Sequence, residues 1–263
     1  MDTDFYSQLF FRLSALEERI EETMYFSLAS SAIDEAIKLN ELSLPNFLLA
    51  EVRQVISSPL YLTYNDNTKQ KVLSNFPQYA NSYSLIKLTA SWEEFMLECT
   101  MVMEMAKTDD YGLRNQTILR ESLRKAGNKN GISLLKDLDK LYQLSFVESV
   151  QFEVIRSMYK LRDCIAHRDG VISRWDLDKN NDFMSTVWKK AVVKKNNRIV
   201  SAWKLAGKAK FSTVLEDKRK QWVKDQVIVL EDIEICDIGL SLLEIGSIVF
   251  QKLLDYGRAH QFR

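Results

Sequence analysis

The chain has 263 residues, 46% of them apolar and 11% aromatic, enough to bury a large core, so disorder is excluded as its default state. Lysine and arginine number 36 against 36 aspartate and glutamate, so a polyanionic partner has to be argued from where the charges sit and not from their total. Eight glycines and three prolines fall below the ordinary usage of about one residue in eight, which argues against a turn-rich all-β fold and for a mostly all-α chain.

Apolar positions Phe5, Leu9, Leu13, Leu16 and Ile20 step by three and four and predict a long first helix, with Met24, Leu28, Ala32 and Ala36 carrying the period onward. Pro45, Pro59 and Pro77 then fall in Ser/Asn-rich surroundings that predict short helices and loops, with a boundary near residue 80. That boundary separates an N-terminal helical segment, 1–80, from a second domain, 81–263. From Tyr83 to Lys107 the residues Leu85, Leu88, Trp92, Phe95, Met96, Cys99, Val102 and Met103 form one wide apolar face, the clearest helix in the sequence. Leu134, Leu135, Leu138 and Leu141 mark a shorter one entered after Gly131. Val150, Val154, Met158, Leu161 and Ile165 mark a third, stopped by Gly170 in the position that favours a left-handed cap. These three pack as a bundle.

Residues 174–230 read differently. Val187–Val193 and Ile199–Leu205 flank the turn-like Lys194-Lys195-Asn196-Asn197, and Gln226–Leu230 is β-branched, so strands or a hairpin compete with helix in a basic insertion before a last helix capped by Asp237 and stopped by Gly257. The acidic N-terminus, the absence of a long apolar run and three scattered cysteines without C-x-x-C spacing predict a cytoplasmic protein in a reducing compartment, with no membrane contact, no zinc and no cofactor. No phosphate-binding glycine loop and no G-x-S-x-G turn is present.

With two histidines in the chain, the search for an acid or base working near neutral pH is short. His260 lies in a polar tail. His167 ends a strongly amphipathic helix, five positions after Arg162; on an ideal helix their side chains stand about 140° apart and flank the apolar stripe through Met158, Leu161 and Ile165. A surface arginine and a histidine stabilising the helix terminus is the bland alternative.

The stretch Leu161-Arg162-Asp163-Cys164-Ile165-Ala166-His167-Arg168-Asp169-Gly170 resembles the signature of the HEPN superfamily, and Leu85 to Met96 resembles the first bundle helix of that group. The likeness spans roughly residues 80–257, interrupted by the stretch 174–230. It implies an all-α bundle acting as a metal-independent endoribonuclease, a homodimer whose two motifs meet across a two-fold cleft, and a role as a toxin or antiviral-defence effector held in check by an antitoxin or other regulatory partner. In those roles His167 is the acid or base, Arg162 clamps the phosphate, Asp163 orients one of them and Glu93 holds Arg162 in place. Members of the superfamily can also lose catalysis and keep the fold, so a non-catalytic module binding RNA or protein is the competing expectation.

Charge is segregated along the chain. Residues 186–224 carry twelve lysines and arginines, among them Lys189, Lys190, Lys194, Lys195 and Arg198, against Glu216 and Asp217 alone, while residues 1–60 hold ten acids against four bases. Interleaving with Trp188, Trp203, Phe211 and Trp222 makes the basic stretch the expected RNA-docking surface, with the acidic first helix as a cover for it.

Overall fold

A computed structural model describes residues 4–38, 66–108, 129–146, 149–179, 181–195, 198–201 and 212–262. These residues form five helices, α1 (Phe5–Lys38), α2 (Asp66–Thr108), α3 (Gly131–Tyr142), α4 (Val150–Arg168) and α5 (Asp232–Ala259), and three strands, β1 (Phe183–Lys195), β2 (Arg198–Ser201) and β3 (Ser212–Val223). The fold is thus mostly helical, with one small sheet inserted between α4 and α5.

The first helix buries Phe5, Leu9, Leu16 and Ile20 against α2 and α5. Beyond Ile20 the buried positions are Thr23, Ser27 and Ser30, one step before the expected Met24 and Leu28 and two before Ala32. The three-and-four rhythm continues unbroken, but its inner residues turn polar because they face a polar partner: Ser27 Oγ donates to Asn81 Oδ1 at 2.6 Å, and Asn81 Nδ2 donates to the Leu230 carbonyl at 2.9 Å. Every residue of the predicted apolar face from Leu85 to Met103 is buried. The helix starts at Asp66, however, and runs through Pro77 and residue 80, where loops and a boundary were expected. A proline removes one helical hydrogen bond, and burial of Ala80, Asn81 and Ser84 just beyond it keeps the helix seated.

The third helix is capped by Asn130, whose side chain accepts from Ser133 N–H at 2.9 Å. The hairpin materialises with β2-β1-β3 order, both pairs antiparallel, Val192↔Ser201 to Lys195↔Arg198 on one side of β1 and Phe183↔Val223 to Lys194↔Ser212 on the other. Both α4 and α5 pack on β1: Ser157 Oγ accepts from Val187 N–H at 2.9 Å, and Ser241 Oγ accepts from Lys189 N–H at 2.8 Å. Gln226–Leu230 forms no strand of the sheet; it stays extended, with Ile228 and Leu230 buried, and makes a single bridge, Val171↔Val227, to the exit of α4.

Two terminal signals of the last helix are displaced from their expected places. The cap lies at Glu231, whose N–H donates to Glu234 Oε2 at 3.2 Å, and Asp237 is buried in the helix interior. Gly257 lies within α5, and its missing side chain is what lets the Phe5 ring approach: a Cβ there would collide with three ring carbons. Gly239 and Gly246 face Met24 and Leu16 in the same way, so α1 packs along a glycine-lined face of α5. Gly257→Ala is therefore expected to lose stability by about 1–2 kcal/mol, the ring displacement outweighing the gain of about 1 kcal/mol in helix propensity, as read by the midpoint of urea unfolding.

Candidate functional site

The motif helix is fixed at both ends. Ser149 caps it, its hydroxyl accepting from Phe152 N–H at 3.3 Å. At the exit Asp169 and Gly170 both take positive φ, 52° and 79°, and Gly170 N–H returns to the Cys164 carbonyl at 3.0 Å. The next residues are tied into the extended segment before α5, Ile228 N–H donating to the Gly170 carbonyl at 2.8 Å and Ile172 N–H to the Gln226 carbonyl at 2.9 Å.

Met158, Leu161 and Cys164 are buried and Ile165 is partly so, which leaves the expected apolar stripe filled by the core and not open as a groove. The open surface is the shorter arc between Arg162 and His167, about 140° wide, on which Asp163 and Ala166 stand. His167 and Ala166 are exposed, Arg162 and Asp163 half-buried. Arg162 Nη1 donates to Asp163 Oδ1 at 2.9 Å. Asp163 and His167 are four positions apart, neighbouring places on one side of the helix.

Glu93 does not hold Arg162 directly. Its Oε1 accepts from the Tyr159 hydroxyl at 2.9 Å, and that hydroxyl in turn accepts from Gly131 N–H at 2.9 Å. Burial, then the Glu93 charge, push the Tyr159 phenol well above its ordinary range, so it stays protonated and acts as the donor. Arg162 lies one turn further along α4, over this buried bond.

The basic stretch is occupied differently from the expectation. Trp188 and Trp222 are each only 1% exposed, so they are core residues and not stacking surfaces. Trp222 Nε1 donates to Thr186 Oγ1 at 3.0 Å, and Lys218 and Lys220 lie over the Trp188 and Trp222 rings at 5.3 and 4.3 Å. Both lysines bond the buried Glu234 carboxylate, at 2.7 and 3.0 Å, and Lys189 pairs with Asp217 at 2.7 Å. Lys190 is exposed, in register with Glu216. Lys194, Lys195 and Arg198 lie where β1 meets β2 and are described by their backbone; Trp203 and Phe211 lie outside the described residues. The acidic first helix packs on α2 and α5, where its Arg12 and Arg19 pair with Glu98 and Glu94 at 3.4 and 3.0 Å.

Two features escape the sequence reading. A cavity of about 220 Å³ opens between α4 and the hairpin, lined by Glu153, Arg156, Lys160, Asp178 and Arg219. Lys160 pairs with Asp178, whose carboxyl is raised by burial but lowered further by that lysine, ending below the usual range. Arg156, Lys160, Asp163 and His167 are spaced four, three and four, so they fall within about 60° of one another on a single stripe of α4. The second feature is Trp175, 77% exposed, with the Arg174 guanidinium 4.4 Å from its ring centre. A tryptophan between two charged residues in a stretch without apolar period is the signal that could have singled it out.

Among the described residues no three His, Cys, Asp or Glu side chains converge as a metal site, and no helix is long and apolar enough to cross a membrane. Cys164, inside the motif, is buried and its thiol pushed up to about 11 by that burial, which rules it out as a ready nucleophile. Compared with family models, with curated proteins and with solved structures, the chain matches none.

Glu234 is the keystone of the basic hairpin. Burial raises its carboxyl, but hydrogen bonds from Lys218 and Lys220 outweigh this and leave it below its ordinary value. A depressed folded-state value means that its contribution is complete above the unfolded carboxylate range and fades as pH falls through the folded value. Glu234→Gln is expected to cost about 2 kcal/mol at pH 7 and to flatten the acid limb below about pH 4, measured by denaturant unfolding across pH; an unchanged acid limb contradicts this assignment.

Proposed function

We propose that the chain is a metal-independent endoribonuclease of the HEPN type, working as a homodimer, and that it serves as a toxin or antiviral-defence effector under the control of a neutralising or regulatory partner. The observation that carries the chemistry is the open arc at the end of α4, with a guanidinium at one edge, an imidazole at the other and a carboxylate between them. The defence role and the regulatory partner rest on the resemblance of the motif.

In the proposed reaction the nucleophile is the RNA's own 2′-OH. Its oxygen attacks the adjacent phosphorus as a proton leaves it, the bond to the 5′-oxygen breaks, and that oxygen takes up a proton. The products are a 2′,3′-cyclic phosphate and a 5′-OH. Arg162 faces the charge that builds on the phosphoryl oxygens, and Asp163 holds the guanidinium plane. His167 moves a proton at the 2′-oxygen or at the leaving 5′-oxygen. One imidazole serves one of those two positions at a time, and this chain offers a single histidine on the arc. A second copy, apposed through the same face, brings the second imidazole, which is the physical case for the dimer.

The stripe from His167 back to Arg156 runs about 16 Å along α4 and leads into the cavity beside the hairpin. It offers the RNA backbone the exposed Arg156 guanidinium, with Lys160 beside it paired to Asp178 and Arg219 of β3 paired to Glu153 at 3.8 Å. Wild-type protein in EDTA is expected to cut single-stranded RNA, and His167→Ala to cut it about 10²–10⁴-fold more slowly with RNA affinity within about twofold. Arg162→Ala is expected to lose about 10²–10³-fold. RNA that is bound but cut by neither wild type nor variant overturns the nuclease assignment in favour of a binding module.

A further inference from the structure

The loop that follows the motif is a built turn with an aromatic ring at its tip. Asp176 accepts from both Ser173 N–H and Ser173 Oγ at 2.8 Å, and Trp175 N–H donates to Ser173 Oγ at 3.2 Å. Residues on either side are anchored: Ile172 is fully buried and bonded to Asp225 and Gln226, and Asp178 binds Lys160 and Ser185 N–H. Arg168, the residue after His167, forms an ion pair with Asp176, the residue after Trp175. The turn is therefore latched to the end of the helix that carries the imidazole.

From this rigid base Trp175 projects into solvent with 77% of its surface exposed and Arg174 over its ring at 4.4 Å. A large apolar ring so exposed on an ordered turn is costly to leave in water. Trp188 and Trp222 are sealed in the core beneath the hairpin, and Trp92 is sealed beneath α3 and α4. Among the described tryptophans only Trp175 has a free face.

The geometry points to Trp175, with Arg174, as a stacking platform for an unpaired nucleobase next to the phosphate handled by Arg162 and His167. This assignment rests on the reading of the chain as an RNA-cleaving protein and specifies the substrate class: single-stranded RNA, held by a base face as well as by its backbone. A flat π-surface accepts any base, so the platform favours unpaired over paired RNA without demanding a sequence.

The test uses the full chain carrying His167→Ala, so that RNA survives, and compares it with the same chain bearing Trp175→Ala or Trp175→Phe. Ligands are a single-stranded oligoribonucleotide and inorganic polyphosphate, which has the charge but no bases. Trp175→Ala is expected to weaken RNA binding about tenfold, Trp175→Phe to stay within about twofold, and polyphosphate binding to be unaffected by either. RNA is also expected to quench fluorescence in the parent and far less in Trp175→Phe. Equal RNA affinity in Trp175→Ala overturns the platform, as does a parallel loss for polyphosphate. A change in sedimentation without a change in RNA affinity also overturns it and makes the ring a contact between copies. With His167 restored, cleavage undiminished by Trp175→Ala removes the platform and leaves the nuclease. Trp175-dependent binding without any cleavage leaves the platform and removes the nuclease, whereas a chain that binds no RNA overturns both.

Discussion

The Tyr159 hydroxyl, held between the Gly131 N–H and the Glu93 carboxylate, is the contact on which the geometry of the site depends. It joins α2, α3 and α4 at one buried point, and a side chain at 131 would strike both the hydroxyl and the Trp92 ring. Hydrogen bonds of this kind contribute only about 1 kcal/mol each in net terms. Their larger consequence is directional: leaving the buried Gly131 N–H unpaired costs more than the bond gains, which favours one fit of the three helices. Tyr159 stands on the same side of α4 as the arc from Arg162 to His167, one turn earlier. That side is therefore sealed by α2 and α3 at Tyr159 and opens only at the end of the helix, with Met158, Leu161 and Cys164 buried on the opposite side. Glu93 thus supports the site from below, through tyrosine, without touching the arginine.

Charge has a similarly local logic. The chain is neutral as a whole and its basic segment looks like a free polyanion-binding strip, yet among its described side chains Lys189, Lys218 and Lys220 are balanced within the fold. Glu234 takes two lysines and Asp217 a third, and the lysine stems cover the Trp188 and Trp222 rings. Counting charges along the chain could not show this, because Glu234 belongs to α5 and reaches the strands only through the tertiary fold. Exposed basic side chains are also described elsewhere, on the outer stripe of α4 and the turn after it, at Arg156, His167 and Arg174.

Legibility in the sequence followed burial. The buried face of α2 and the left-handed exit of α4 were readable, since apolar periodicity and glycine at a helix exit are local signals, whereas in 174–230 strand and helix competed until pairing across β1 decided for strand. The same signals misplaced Asp237 and Gly257: a carboxylate inside a helix resembles a cap, and a glycine near its end resembles a stop, until the Phe5 ring is seen against it. The first helix could be followed to Ile20, where its inner face turned to serine and threonine for a polar partner 54 residues away. In the site, Arg162, Asp163 and His167 were singled out by the resemblance of their stretch, spacing alone being a weak signal, and they stand around one open arc of α4. Which arc was open, and which tryptophan was exposed, depended on packing against α2, α3 and β1 and had no counterpart in spacing alone.

The central claim is that this arc makes the RNA cut itself through its own 2′-oxygen. The most direct measurement gives the wild-type chain, in EDTA, a single-stranded oligoribonucleotide and its fully 2′-O-methylated twin, and analyses the product ends by mass spectrometry. The account predicts 2′,3′-cyclic phosphate and 5′-OH termini from the first and no cleavage of the second. Cleavage of both, or of neither while the RNA binds, contradicts it.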